Sequence, residues 1–128
     1  MSGASKAVIA VVDDDDSVRR ALSRLLRTVG MDADCFSSGD EFLEKLSSVP
    51  SYRPDCLVMD VHMPGLSGLE VQRRLNGSGV PVIIITAYDD TSIREQALAG
   101  GAIACLRKPF NDELLVSTVR ASLAGTGG

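Results

Sequence analysis

What most constrains this chain is a change of apolar period that repeats along its whole length. Short, continuous apolar runs alternate five times with stretches whose apolar residues recur at helical spacing. Ala7-Val8-Ile9-Ala10-Val11-Val12 is the first run, uninterrupted by polar residues and rich in β-branched ones, as a strand buried on both faces requires. Val18, Ala21, Leu22, Leu25, Leu26 and Val29 then fall on one helical face, and Gly30 stops them. A weaker strand is predicted over about Asp32 to Phe36. Ser38-Gly39-Asp40-Glu41 reads as a capping box for a helix burying Phe42, Leu43 and Leu46, and residues 47–54 read as a loop.

The second half repeats the pattern. Cys56-Leu57-Val58-Met59 predicts a third strand ending at Asp60, with Pro64 and Gly65 breaking the chain soon after. A helix through Leu69 and Leu75 leads to the turn Asn76-Gly77-Ser78-Gly79. Val82-Ile83-Ile84-Ile85 is the most apolar strand and ends at Thr86. A helix from about Thr91 to Ala99 is stopped by Gly100 and Gly101, and Ile103 to Leu106 predicts the last strand. Asn111 can cap a final helix carrying Leu114, Leu115, Thr118, Val119 and Leu123. Strict alternation with apolar strands predicts an α/β fold whose parallel sheet is covered on both faces. In such sheets ligands bind beyond the carboxyl ends of the strands, where strand order reverses.

Composition narrows the function classes. At 128 residues the chain fits one domain, and 45% hydrophobic against 23% charged residues is enough to build a core. Lys and Arg total 13 against 17 Asp and Glu, a net charge of −4, which argues against direct nucleic-acid binding. Cys35, Cys56 and Cys105 form no CxxC pair, which fits a reducing compartment. No apolar run approaches the roughly 20 residues of a membrane span, so the expectation is a cytoplasmic chain without membrane contact. Residues 1–6 and 124–128 read as flexible ends or the start of a linker, with the domain over 7–123.

The residues just past the strand ends carry the chemistry: Asp13 and Asp14, Asp60, Thr86 and Lys108. Carboxylates gathered at one rim repel one another unless a cation offsets them. A hard divalent cation is the natural partner, and magnesium uses one or two carboxylates, waters and a phosphate. A hydroxyl and an ammonium beside them suit a phosphoryl group. No nucleotide cradle of the G-x-x-x-x-G-K-[ST] or G-x-G-x-x-G kind is present. The phosphoryl group is therefore pictured on a protein carboxylate, with Asp60 the best placed acceptor. Asp15 and Asp16 are explained as helix-start residues by the helix dipole. Arg19, Arg20, Arg24 and Arg27 read as a solvated helix face, and Gly65 and Gly68 as turn glycines.

Over about Ala7 to Leu123 the chain resembles the receiver domain of two-component response regulators, most like the FixJ-type branch. The matching pieces are Val12-Asp13-Asp14, Asp60-Val61-His62-Met63-Pro64-Gly65-Leu66-Ser67-Gly68, Ile85-Thr86-Ala87 and Lys108-Pro109-Phe110. The resemblance implies a flavodoxin-like (βα)5 three-layer sandwich with strand order 2-1-3-4-5. It implies that Asp60 accepts phosphate from a sensor histidine kinase. Magnesium, with manganese as a substitute, would be held by Asp14, Asp60 and the backbone carbonyl of His62, with Asp13 acting through water. Thr86, Ala87 and Lys108 would bind the phosphoryl group, Thr86 moving on activation, and the Lys108-Pro109 bond would be cis. His62 and Tyr88 would tune dephosphorylation. Such a domain is a signalling module that promotes only its own phosphorylation and dephosphorylation. An output domain or partner would read the face formed by helix 91–99, strand 103–106 and helix 111–123, and phosphorylation would drive a homodimer.

One position departs from the family. Cys105 stands where an aromatic switch residue is usual, and a buried thiol on a strand is more often inert packing than a redox sensor. Two rival classes are weighed. An aspartyl-nucleophile phosphatase resembling haloacid-dehalogenase enzymes would want a second acid where His62 stands, and a substrate cap. A degenerate receiver acting as a phosphorylation-independent binding module is the other; all five site positions are filled, and Cys105 is the feature in its favour.

Overall fold

A computed structural model describes residues 6–87 and 91–126. The elements alternate as β1 (Val8–Val12), α1 (Asp16–Thr28), β2 (Asp32–Phe36), α2 (Gly39–Ser48), β3 (Cys56–Asp60), α3 (Gly68–Arg74), β4 (Val82–Thr86), α4 (Thr91–Ala99), β5 (Ala104–Arg107) and α5 (Asp112–Thr126). All strand pairings are parallel and the order is β2-β1-β3-β4-β5. This is the doubly wound arrangement that the alternation of periods requires. Strand order reverses beside β1 and β3, so their carboxyl ends flank the switch point.

Two apolar layers follow from the pleat. Ala10, Val12, Leu57, Met59, Val82 and Ile84 face one side with Phe42, Val71 and Ala97 from α2, α3 and α4. Their neighbours Ile9, Val11, Cys56, Val58, Ile83 and Ile85 face the other, against Leu22 and Leu26 of α1 and Leu115 and Val119 of α5. Alternate residues therefore serve opposite layers, which is why the central strands are apolar throughout. Among the described residues no helix is long and apolar enough to cross a membrane.

The caps match the residue types placed at helix starts. Asp15 is the N-cap of α1, its carboxylate accepting from the Ser17 and Val18 amides, and Asp16 lies in the first turn. The Ser17 hydroxyl and these amides hold the Asp15 carboxyl below its usual range. Ser38 caps α2 by accepting from Glu41 N, while the Glu41 carboxylate reaches Ser37 N at 2.9 Å, one residue earlier than a capping box predicts. Asn111 accepts from the amides of Glu113 and Leu114 at the start of α5. That helix runs on to Thr126, past Leu123, the last apolar position of its pattern. The fifth strand spans Ala104–Arg107 rather than 103–106. Ile103 donates its amide to Val82 O but is 45% exposed, because β5 is an edge strand and pairs with β4 from Ala104 onward.

α4 is lightly anchored, with Ala97 its one fully buried residue. Ile93 is partly buried against the same layer, and a polar tie is added by the buried Gln72 side chain of α3, which donates Nε2 to Ala97 O at 2.8 Å. That carbonyl also accepts from Ala102 N, so it keeps a partner if the glutamine is lost. Gln72→Leu is therefore expected to lower global stability by only about 1 kcal/mol, while amide exchange in α4 rises well above that in α3. Urea unfolding with residue-resolved hydrogen exchange checks both, and a uniform rise across the chain would count against the anchor.

Candidate functional site

The site lies where the reversal of strand order leaves a cleft. Asp13 follows β1, Asp60 is the last residue of β3, Thr86 is the last of β4, and Lys108 follows β5. Asp13, Asp60 and Thr86 are buried and Asp14 is exposed. The register aligns Asp60 with Ile85 and Thr86 with Arg107, so the strands end at one level. Lys108 N donates to Thr86 O at 2.8 Å, tying the loop after β5 to the end of β4. The peptide bond between Lys108 and Pro109 is cis.

One oxygen from each carboxylate of Asp13, Asp14 and Asp60 lies within 4.8 Å of the others. Lys108 Nζ stands 3.1 Å from Asp13 Oδ2 and 3.5 Å from Asp60 Oδ2. Three carboxylates facing one ammonium leave two formal negative charges, the amount one divalent cation offsets. The donor set is hard oxygen, with Asp13 and Asp60 buried and Asp14 exposed, and it fits magnesium, which binds through one or two carboxylates, waters and a phosphate. Burial pushes the Asp60 carboxyl above its ordinary value of 3.8; Lys108 and the His62 amide oppose that push, and Asp13 adds to it. Burial likewise works against the charged Lys108, yet its hydrogen bond to Asp13 and the charges of Asp60 and Asp13 outweigh it and raise its value above 10.5.

Backbone contacts fix the loop that leaves Asp60. His62 N donates to Asp60 Oδ1 at 3.2 Å, Val61 N donates to Ile85 O, and Gly68 N donates to Val61 O. Gly65 has φ +78° and is a turn glycine. Gly68 is not: it opens α3, where an added Cβ would lie 2.7 Å from Asp60 O and 2.8 Å from Val61 Cα. Its role is close approach of a helix start to the end of β3.

The remaining candidates sit around this centre. Ala87 is exposed and lines an apolar groove of about 420 Å³ with Val18, Leu22, Lys108, Pro109 and Phe110. His62 is exposed beside the carboxylates. Tyr88 lies outside the described residues. Cys105 is buried in the layer of Val82, Ile84, Ala97 and Ala102, and burial pushes its thiol up against the opposing charge of Arg94. A raised value leaves little thiolate, in keeping with packing rather than redox chemistry. The pattern that groups Arg19 with Arg20, Arg24 and Arg27 conceals a difference. Arg19 NH1 donates to Asp13 O at 2.6 Å, and NH2 pairs with Asp16 at 3.1 Å.

The comparisons agree with this geometry. The family model described as response regulator receiver domain matches residues 9–120. Response regulator protein TodT of Pseudomonas putida is 40% identical over 119 residues, covering 91% of this chain and 51% of that protein. Transcriptional regulatory protein FixJ of Azorhizobium caulinodans is 41% identical over 117 residues, covering 90% and 54%. The chain thus spans about half the length of these curated relatives. The crystal structure of a response regulator receiver protein from Burkholderia phymatum is 63% identical with a TM-score of 0.86, covering 93% of this chain and 96% of that one. With the sheet order, the acidic rim and the match over nearly the whole domain in agreement, the chain belongs to the response regulator receiver domains of two-component signalling systems.

Proposed function

We propose that this receiver takes a phosphoryl group from a sensor histidine kinase onto Asp60 and changes its surface to control an output partner. The observation that carries this is the Asp60 carboxylate, buried at the end of a central strand between two other aspartates and Lys108. An Asp60 oxygen attacks phosphorus, the bond to the kinase imidazole breaks, and the imidazole nitrogen keeps the electron pair. The nucleophile is the ionised carboxylate, and Lys108 at 3.5 Å favours that form, opposing the push of burial. Asp14, Asp60 and the His62 carbonyl would hold Mg2+, with Asp13 reached through water, and Mn2+ would substitute. Bound there, the cation would offset the charge of the phosphoryl oxygens. Lys108 would move to those oxygens, and Thr86 with the Ala87 amide would bind them from the other side. His62 and Tyr88 would govern how fast water removes the group.

The partners follow from the surroundings. The groove of Val18, Leu22, Pro109 and Phe110 borders Lys108, a suitable seat for the kinase helix bearing the phosphohistidine. Leu98, Ile103 and Leu114 are 41%, 45% and 49% exposed on α4, before β5 and on α5, the elements assigned to output and to a phosphorylation-driven dimer. The domain would occupy 7–123 and work in the cytoplasm, where the kinase's donor histidine resides.

Incubation of the chain with Mg2+ and a small acyl-phosphate donor is expected to add a single phosphoryl group by intact mass. Removing the cation with a chelator should reduce uptake at least tenfold, because the rim's negative charges then face the incoming phosphate directly. A chain that stays unmodified at saturating donor and Mg2+ would overturn this reading.

A further inference from the structure

Four arginines lie on α1, and one of them is placed unlike the rest. Arg20 is 76% exposed at its side chain and pairs with the carboxylate of Asp16. Arg24 and Arg27 have no carboxylate partner among the described residues. The Arg19 side chain is 18% exposed and turns back over the first turn, its two terminal nitrogens on Asp13 O and Asp16. Helical side chains lean toward the N-terminus, so a long residue one turn into α1 naturally covers the loop that precedes it.

The carbonyl it meets needs a donor. Asp13 N makes the last sheet bond of this segment, to Phe36 O at 3.1 Å, and the helix begins only at the Asp15 cap. Asp13 O therefore falls between the ladder and the helix, inside an acidic rim, and the guanidinium satisfies it. That carbonyl belongs to the peptide plane joining Asp13 to Asp14. Holding it fixes the backbone from which the Asp14 carboxylate extends, and Asp14 has no hydrogen bond of its own among the described residues. The Asp13 carboxylate is held separately, by Asp15 N at 2.9 Å and by Lys108.

We infer that Arg19 is a positioning residue for the divalent-cation site: by clamping the carbonyl of Asp13 it aims the Asp14 carboxylate at Asp60 and so sets Mg2+ affinity. The inference rests on the metal reading given under Proposed function. Two opposing effects decide its test. A guanidinium near a cation repels it, so pure electrostatics predicts that removing Arg19 tightens Mg2+ binding. Loss of aim predicts weaker binding, and groups that orient metal ligands typically change affinity by about 10–100-fold. Lysine separates the two, because it keeps the charge but not the fork that spans two acceptors.

Mg2+ affinity measured by calorimetry at fixed ionic strength, on the full chain, gives the test. Arg19→Gln and Arg19→Lys are both expected to weaken binding about tenfold, while Arg20→Gln, which removes a neighbouring charge on the same Asp16, stays within about twofold of the wild type. Amide spectra of the Arg19 variants should change around residues 13–16 and not across the sheet. Tighter binding in Arg19→Gln with an unchanged Arg19→Lys would reduce Arg19 to a point charge and overturn the inference. So would unchanged affinity in both, or spectral change spread over the whole domain. A wild type that takes up no Mg2+ overturns the metal reading and this inference together, whereas a binding wild type with unaffected Arg19 variants overturns the inference alone.

Discussion

Asp60→Asn is expected to abolish phosphoryl uptake and, at neutral pH, to make the fold about 1 kcal/mol more resistant to unfolding. The loss follows from chemistry, since the amide that replaces the carboxylate is no nucleophile toward phosphorus. The gain follows from the rim. Asparagine keeps the shape and can still accept from His62 N, but it removes one of three clustered carboxylates and the burial penalty of a charge. Lys108 retains Asp13 at 3.1 Å, so no ammonium is left unpaired. Because burial raises Asp60 above 3.8, its contribution to stability is full below that value and is lost as pH rises through the folded value. The advantage of Asn should therefore shrink as pH falls toward 3.8 and be largest at neutral pH. Excess Mg2+ should reverse the ranking, since the cation stabilises the wild type by binding the native state. Urea midpoints with and without Mg2+ at two pH values, beside intact mass after acyl-phosphate treatment, provide the measurements. An Asn variant that is phosphorylated, or less stable than wild type at neutral pH without Mg2+, would contradict this account.

Gly68→Ala is expected to destabilise the chain by about 3 kcal/mol and to impair the site with it. The new methyl would stand 2.7 Å from Asp60 O and 2.8 Å from Val61 Cα, and both neighbours are backbone. Neither can rotate away as a flexible side chain would. Either α3 withdraws, breaking the bond from Gly68 N to Val61 O, or the end of β3 shifts and carries Asp60 with it. Gly77→Ala is the control. It has φ +87° with nothing within 4 Å of the added carbon, so it bears conformational strain alone, about 1 kcal/mol. Equal denaturant midpoints for the two variants would mean that the helix start has room to retreat, and that close packing at Gly68 has been overvalued.

Much of this was readable in one dimension. The β-branched runs, Gly30, Gly100 and Asn111 marked element boundaries because periodicity and cap chemistry are local. Asp60, Thr86 and Lys108 stood out because a parallel sheet places its strand ends at one rim whatever the helices do. What stayed hidden depends on how elements approach in space. Nothing in Gly68 distinguishes a turn glycine from one pressed against the end of β3. Helical phase puts Arg19 among polar neighbours, and only the folded loop shows that it bends back onto Asp13 O. Gln72 reads as a surface residue until α4 lies over it. Ser67 and Glu70 do carry a local signal: Ser67 caps α3 by accepting from Glu70 N at 3.2 Å, and the S-x-x-E spacing announces it.

The alternation of β4 bears on traffic through the molecule. Val82 and Ile84 belong to the α4 side and Ile83 and Ile85 to the α1 and α5 side, so Thr86, next in the pleat, falls in line with the α4 layer that also holds Cys105. The groove beside Lys108 opens on the opposite side, among α1 residues. In the proposed scheme the sheet thus separates the α1 side, where the kinase would sit, from α4, while α5 shares the α1 side. A kinase seated on α1 would leave α4 uncovered, so a target that reads α4 need not compete with it, whereas one that also reads α5 would meet it.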